Sequence, residues 1–215
     1  QINFPICFIN IGGISNITKI IKKDEKLEEN LEAFDSGPGN CMIDEWIRKN
    51  SKHKFDKNGS IAKSGKINQL VLNQAIDNFK IDSFKKSLDI KDFDISFARG
   101  LSLEDGSATI TDFTAYLIAQ GIEYSNGNNK KPIKYLLCGG GRKNRFLIQS
   151  IKNYLSNKNY INLDLIDDYN LNGDYIESQA FGYLAIRSYF NLPISFSKTT
   201  GCIVPSVGGK FVKNF

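Results

Sequence analysis

A chain of 215 residues that is 41% hydrophobic and 12% aromatic has enough apolar material for one substantial core or two small ones, so it reads as globular rather than disordered or fibrous. Its net charge of +5 suits an anionic ligand, but Lys and Arg are dispersed among Asp and Glu rather than gathered in a stripe, which argues against a nucleic-acid partner. No run approaches the roughly 18 to 20 apolar residues of a membrane helix, and Gln-Ile-Asn-Phe-Pro at the start lacks the pattern of a signal segment, so the expectation is a cytoplasmic chain with no membrane partner.

Residues 6–11 and 14–20 are β-branched runs on either side of Gly12-Gly13, the signal of an antiparallel hairpin. After a charged turn over 22–30, the short apolar run 31–34 reads as a third strand that ends in Asp35 and the loop Ser36-Gly37-Pro38-Gly39-Asn40. A helix is predicted over 41–49, where Met42 and Trp46 fall one turn apart on one face and Asp44, Glu45 and Arg48 face water. Residues 52–64 are polar and loop-like, and 67–79 is a second amphipathic segment. A long helix starts at Ser102, which with Asp105 resembles a capping box, and runs to about Tyr124.

Beyond the polar loop 125–131, residues 135–138 form a short strand that enters Gly139-Gly140-Gly141, and a helix begins near Asn144. Residues 160–166 alternate as a strand, 174–190 is a helix with Ile176, Ala180, Tyr183, Leu184 and Arg187 on one face, and the tail past Pro193 is irregular. The order is β-β-β-α-β-α-β-α with an inserted helical and irregular segment at about 52–101. Three meandering strands followed by two helical crossovers is the α/β order of the ribonuclease-H-like half-domain in the actin, hexokinase and Hsp70 superfamily, a mixed sheet with flanking helices.

Three glycine clusters lie at strand ends: Gly12-Gly13, Gly37-Pro38-Gly39 and Gly139-Gly140-Gly141. Each serves either as a turn or as a place where a backbone approaches a phosphate or a flat base without a Cβ in the way. The third is the stronger candidate, because three consecutive glycines exceed the needs of a turn and Asn144 follows at a helix start. No Walker sequence and no GxGxxG after a strand is present, so a P-loop or dinucleotide fold has little support. Asp35 either caps a turn or meets a magnesium-coordinated water. Glu177 is either a solvated helix residue or a carboxylate emerging beside an apolar face. Asp89, Asp92 and Asp94 read as solvent-facing. The one histidine, His53, sits between Lys52 and Lys54 and reads as a loop side chain, and the four cysteines Cys7, Cys41, Cys138 and Cys202 form no CxxC pair and read as reduced thiols.

Several segments are similar, in order and spacing, to the anhydro-N-acetylmuramic acid kinase family. They are Phe8-Ile-Asn-Ile-Gly-Gly-Ile-Ser-Asn-Ile-Thr18, Phe34-Asp-Ser-Gly-Pro-Gly-Asn40 with Asp44 and Trp46, Phe55-Asp-Lys-Asn-Gly59, and Lys86-Ser-Leu-Asp89 with Asp92-Phe93. Further along come Leu101-Ser-Leu-Glu-Asp-Gly106 with Phe113-Thr-Ala115, Cys138-Gly-Gly-Gly-Arg-Lys-Asn144, and Gly173-Asp174 with Glu177 and Ala180-Phe181. The resemblance implies that Gly12 and Gly13 belong to a phosphate hairpin, that Gly139, Gly140, Gly141 and Asn144 belong to an adenosine loop, and that Glu177 lies near the sugar. It implies ATP and magnesium as cofactors and an amino sugar as the small-molecule partner. The implied reaction opens a 1,6-anhydro bond with water and places phosphate on O6, in cell-wall recycling.

The family's first phosphate loop, of Gly-Thr-Ser-x-Asp-Gly type, and its Asp-Phe-Arg segment with the water-activating aspartate occur nowhere in these residues. The absent initial Met and the abrupt opening into a strand agree with that. The expectation is therefore that residues 1–215 are the C-terminal lobe of a two-lobe kinase, inactive alone and homodimeric in complete form. The competing readings are a noncatalytic nucleotide-binding or dimerising module and another actin-fold ATPase.

Overall fold

The computed structural model describes residues 3–23, 26, 30–79, 84, 87–128, 131–210 and 212. Lys86 and parts of the expected turns over 22–30 and 125–131 lie outside the described residues. Five strands, β1 (Ile6–Ile11), β2 (Ile14–Ile20), β3 (Leu31–Pro38), β4 (Ile133–Cys138) and β5 (Ile161–Leu165), form one sheet in the order β3-β2-β1-β4-β5. β1, β2 and β3 pair antiparallel as a meander, whereas β4 and β5 run parallel to β1 through helical crossovers. That is the expected ribonuclease-H-like half of the actin fold.

β3 is longer than its apolar run predicts and carries Asp35 inside the strand, opposite Asn16. Ser36 sits at a bulge, where its hydroxyl meets the Ser15 hydroxyl at 2.9 Å and donates to the Ser15 carbonyl at 3.2 Å, both residues fully buried. Those bonds satisfy polar groups that burial would otherwise leave without water.

The helices are α1 (Cys41–Asn50), α2 (Ser60–Ser64), α3 (Gln69–Asn78), α4 (Leu103–Asn126), α5 (Arg145–Tyr154), α6 (Ile176–Tyr189) and α7 (Ser197–Thr200). α2 falls in a stretch whose polarity predicts a loop. It forms because buried Asp56 accepts from the amides of Ile61 and Ala62, each at 2.9 Å, at a helix start whose N–H groups have no intrahelical partner. At the start of α4, Ser102 accepts from the Asp105 amide at 3.1 Å, but the Asp105 carboxylate turns to the Lys66 amide at 2.8 Å, so the cap is one-sided rather than a reciprocal box. α7 adds a single turn to the tail, which is otherwise irregular as its sequence predicts.

Alternation along β1 sends Cys7, Ile9 and Ile11 to one face of the sheet, where they join Ile133, Tyr135 and Leu137 of β4. α4 and α5 cover that face with Ala115, Ile118, Ile122, Leu147 and Ile151, and each fully buried Ile or Leu side chain there contributes roughly 1.5–3 kcal/mol. A second cluster forms around Met42 and Trp46 of α1, which pack on Ile110 and Phe113 of α4 and on Leu72 and Phe93 of the segment at 52–101. Among the described residues the opposite face of the sheet holds a smaller buried group, Ile6, Leu136, Cys138 and Ile166, with Ile176 of α6 packed against it. Among the described residues no helix is long and apolar enough to cross a membrane.

Candidate functional site

The three glycine clusters, far apart in the chain, meet at one end of the sheet, because β1 and β4 are parallel neighbours and both end there. The carbonyl of Gly12 accepts from the Asn40 amide at 2.7 Å and from Asn40 Nδ2 at 3.1 Å, while the Gly13 carbonyl accepts from the amides of Gly39 at 2.9 Å and Cys41 at 3.1 Å. Asn40 Nδ2 also donates to the Ile11 carbonyl at 3.3 Å. The first amides of α1 are thus tied to the hairpin's carbonyls. The hairpin is not a tight two-residue turn: the Gly12 amide donates to the Ile14 carbonyl at 3.2 Å, and neither glycine takes the left-handed backbone such a turn uses. Among the described residues the Gly13 amide has no hydrogen-bond acceptor.

The glycines divide into two kinds when the space around each is considered. A Cβ on Gly39 would lie 2.2 Å from the Gly12 oxygen, and one on Gly141 would lie 2.2 Å from Ile11 Cγ2. Gly139 has φ +77°, and its Cβ would stand 2.3 Å from Asn10 Oδ1. These three are glycine because the chain packs against them. Gly12, Gly13 and Gly140 are different: the nearest atoms to an added Cβ lie at 3.5, 3.7 and 3.8 Å, ordinary contact distances, and none has a left-handed φ. The contacts leave Gly140 beside the Asn40 side chain, across from the hairpin, with backbone free to approach a flat or anionic group.

Asn144 caps α5, its Oδ1 accepting from the Leu147 amide at 3.0 Å, and it is buried. A Cβ on Gly59 would lie 2.1 Å from that oxygen, so the Phe55 to Gly59 motif and the Asn144 motif are a matched pair of packing partners. Asp35 accepts from the Leu88 amide at 2.8 Å and thereby holds the loop whose Ile90 side chain borders Gly13. It also lines a separate cleft of about 810 Å³ along β3, with Lys19, Tyr124 and Thr199, which none of the three glycine clusters lines. Glu177 is exposed on the first turn of α6, near enough to the end of β4 to act on the Cys138 thiol, whose pKa is pushed up to about 11, chiefly by burial, with the Glu177 charge adding to the rise. The two glycine loops therefore meet at the Asn40 side chain, Glu177 stands within electrostatic reach of Cys138 at the end of β4, Asn144 is turned into the cap of α5, and Asp35 lies out along β3.

Sequence reading passed over Asn40 and Arg142. Arg142 has a side chain only 4% exposed, and it donates to both oxygens of Asp167, through Nε at 2.7 Å and Nη2 at 3.0 Å. Its Nη1 reaches Asp174 at 2.8 Å and the Gly139 carbonyl at 2.9 Å. The guanidinium holds the Asp167 carboxyl down to about 2, and together with Lys143 it lowers Asp174 as well. Among the described residues no three His, Cys, Asp or Glu side chains gather as a metal set.

A ribonuclease-H-like half-domain with glycine loops gathered at the ends of its central strands is the architecture of the actin-like kinase class. The chain belongs to the anhydro-N-acetylmuramic acid kinase family, whose model matches residues 3–213. It is 51% identical over 218 residues to the anhydro-N-acetylmuramic acid kinase of Pelagibacter ubique (strain HTCC1062), covering 100% of this chain and 57% of that protein. To the enzyme of the same name from Zymomonas mobilis subsp. mobilis it is 38% identical over 211 residues, covering 98% and 55%. The chain thus spans about half the length of the curated relatives it matches. Among solved structures, gluconate kinase from Lactobacillus acidophilus aligns with a TM-score of 0.45 and 15% identity, over 69% of this chain and 33% of that one.

Proposed function

We propose that this chain is the nucleotide-binding C-terminal lobe of a two-lobe, cytoplasmic sugar kinase that uses ATP and magnesium to convert 1,6-anhydro-N-acetylmuramic acid into the 6-phosphate of N-acetylmuramic acid. The observation that carries the reading is that Gly12, Gly13 and Gly140 are glycine where neither backbone conformation nor a neighbouring atom requires it, and that Asn40 Nδ2, which donates to the Gly12 carbonyl, is also the atom nearest an added Cβ on Gly140. A ligand that approaches the backbone closely accounts for them. The free Gly13 amide suits a phosphate oxygen, and Gly140 suits the nucleoside.

In this reading ATP supplies the phosphoryl group, and the chain's own residues hold it. Gly139 and Gly141 set the loop, Asn144 fixes the helix behind it, and Glu177 orients the sugar. Asp35 has one oxygen committed to the Leu88 amide and lies along β3 outside the glycine loops, so in this reading its part toward magnesium is indirect, through the loop whose Ile90 borders Gly13. The anhydro sugar has no free O6, so water must reach C1 as O6 departs, and that needs a general base. The aspartate that serves as this base lies in the other lobe. Phosphoryl transfer needs charge neutralisation on both sides of the nucleotide and closure against bulk water, which one lobe does not provide.

Incubated with the anhydro sugar, ATP and magnesium, this chain alone is expected to give no phosphorylated sugar. A polypeptide of the relatives' full length carrying these residues is expected to give it, and in oxygen-18 water with rapid quenching the label enters C1 and not the phosphate. Product forming at a rate that scales with this chain alone, once contaminating kinases are excluded, contradicts the one-lobe reading. Label in the phosphate contradicts the hydrolytic one.

A further inference from the structure

Arg142 belongs to the glycine-loop motif, and its side chain, almost wholly buried, is turned into a node of ion pairs and hydrogen bonds with Gly139, Asp167 and Asp174. A guanidinium taken out of water is costly unless each of its donors finds an acceptor, and here it serves three separate pieces of chain. The Gly139 carbonyl is the first residue of the glycine loop, Asp167 belongs to the turn after β5, and Asp174 precedes the first turn of α6. Backbone bonds run the same way: the Gly139 amide donates to the Gly173 carbonyl at 3.4 Å, and the Gly173 amide donates to Asp167 Oδ1 at 3.4 Å. Gly173 itself is fitted to the node, since a Cβ there would lie 2.3 Å from Arg142 Nε. Lys143 closes the arrangement with a 2.6 Å contact to the other oxygen of Asp174.

We propose that Arg142 is a positioning residue that couples the 139–141 loop to the first turn of α6, so that a nucleotide seated against Gly140 and the carboxylate of Glu177 are held in one geometry. A planar fork is needed for this, because two parallel bonds to Asp167 fix the plane of the guanidinium while Nη1 bridges Asp174 and Gly139. A lysine offers the charge without the plane. Displacement of the loop is thereby passed to α6 through a direct side-chain contact rather than through α5 and β5, which lie between the two in the chain. The ligand-dependent half of the proposal rests on the nucleotide reading of Gly140; the ligand-free half does not.

Amide hydrogen exchange on the full chain tests both. In the absence of nucleotide, Arg142→Met is expected to speed exchange about tenfold in residues 139–144 and 173–179 together, with α4 unchanged. Arg142→Lys is expected to recover little of that protection, and Lys152→Met, which removes an exposed charge from α5, none of it is expected to disturb. Adding ATP and magnesium slows both segments in the unmodified chain, but only 139–144 in Arg142→Met. Wild-type exchange at 173–179 in a folded Arg142→Met chain, or full recovery by Lys, overturns the coupling. If Arg142→Met loosens α4 too, Asp167→Ala decides, since it removes the fork's two-oxygen partner from a half-exposed position: a joint rise in the two segments upholds the coupling and a rise in neither rejects it. ATP that slows neither segment in the unmodified chain defeats the nucleotide reading, while the paired loosening without ligand still judges the node.

Discussion

α4 and α6 are the two longest helices among the described residues, and they meet the rest of the chain in opposite ways. α4 is buried for most of its length: Ala115, Ile118 and Ile122 face the sheet, Ile110, Phe113 and Leu117 face the cluster around Trp46, and Gly121 lets it cross so close to β3 that a Cβ would lie 2.5 Å from Ser36 Cβ. α6 buries no residue, although Ile176, Phe181, Leu184 and Ile186 put apolar groups around most of its circumference. Phe181 is 65% exposed and Ile186 58%. A helix that is apolar all round is composed for burial on all sides. α4 finds its partners within this chain, whereas α6 beyond Ile176 leaves most of its apolar side chains exposed, which agrees with the proposal that a second lobe lies against it.

The contrast predicts a graded series of stability effects in denaturant titrations. Ile118→Ala, which empties a fully buried position between α4 and the sheet, is expected to lower stability by about 2–5 kcal/mol. Gly106→Ala is a sharper test, because on helix propensity alone it gains about 1 kcal/mol. The added methyl would lie 2.1 Å from Trp46 Cζ2, and Trp46 has little room to move, being 5% exposed with its indole N–H on the Leu103 carbonyl at 3.0 Å. Overpacking costs of about 1–3 kcal/mol outweigh the propensity gain, so a net loss is expected. A gain would show that the α1–α4 contact is looser than the geometry requires. Phe181→Ser on α6 is expected to change stability by no more than about 0.5 kcal/mol in this chain. A loss comparable to that at Ile118 would mean that α6 already has its cover.

The order of elements was legible in the sequence because strands and helices there carry unmistakable periods: Ile9 and Ile11 alternate with Phe8 and Asn10, and Met42 and Trp46 are one turn apart. The gathering of the glycine clusters follows once the strands are ordered. What was not legible depends on tertiary contact. Ser36, Gly37 and Pro38 have poor strand propensity and are held in β3 by pairing with Ile14 and Ser15. α2 depends on Asp56, whose role as a cap is hidden in a polar run. Arg142 stands among Lys143 and Arg145 with no local mark, since its carboxylate partners lie 25 and 32 residues away. For Asn144 the helix start was legible, but not that its amide oxygen would turn inward to the Leu147 amide.

The central claim is that the open glycines are open for a nucleotide. Calorimetric titration of ATP and magnesium into the Gly140→Val chain tests it most directly, because the position has room for the side chain's first atom, 3.8 Å from Asn40 Nδ2, and takes no left-handed φ, so the variant is expected to fold with unchanged stability. The account predicts measurable ATP binding to the unmodified chain and at least a roughly tenfold loss of affinity in Gly140→Val, as a branched side chain enters the space the ligand needs. Equal affinity in a folded Gly140→Val chain would contradict it, and would leave the triple glycine as a strand-to-helix turn and nothing more.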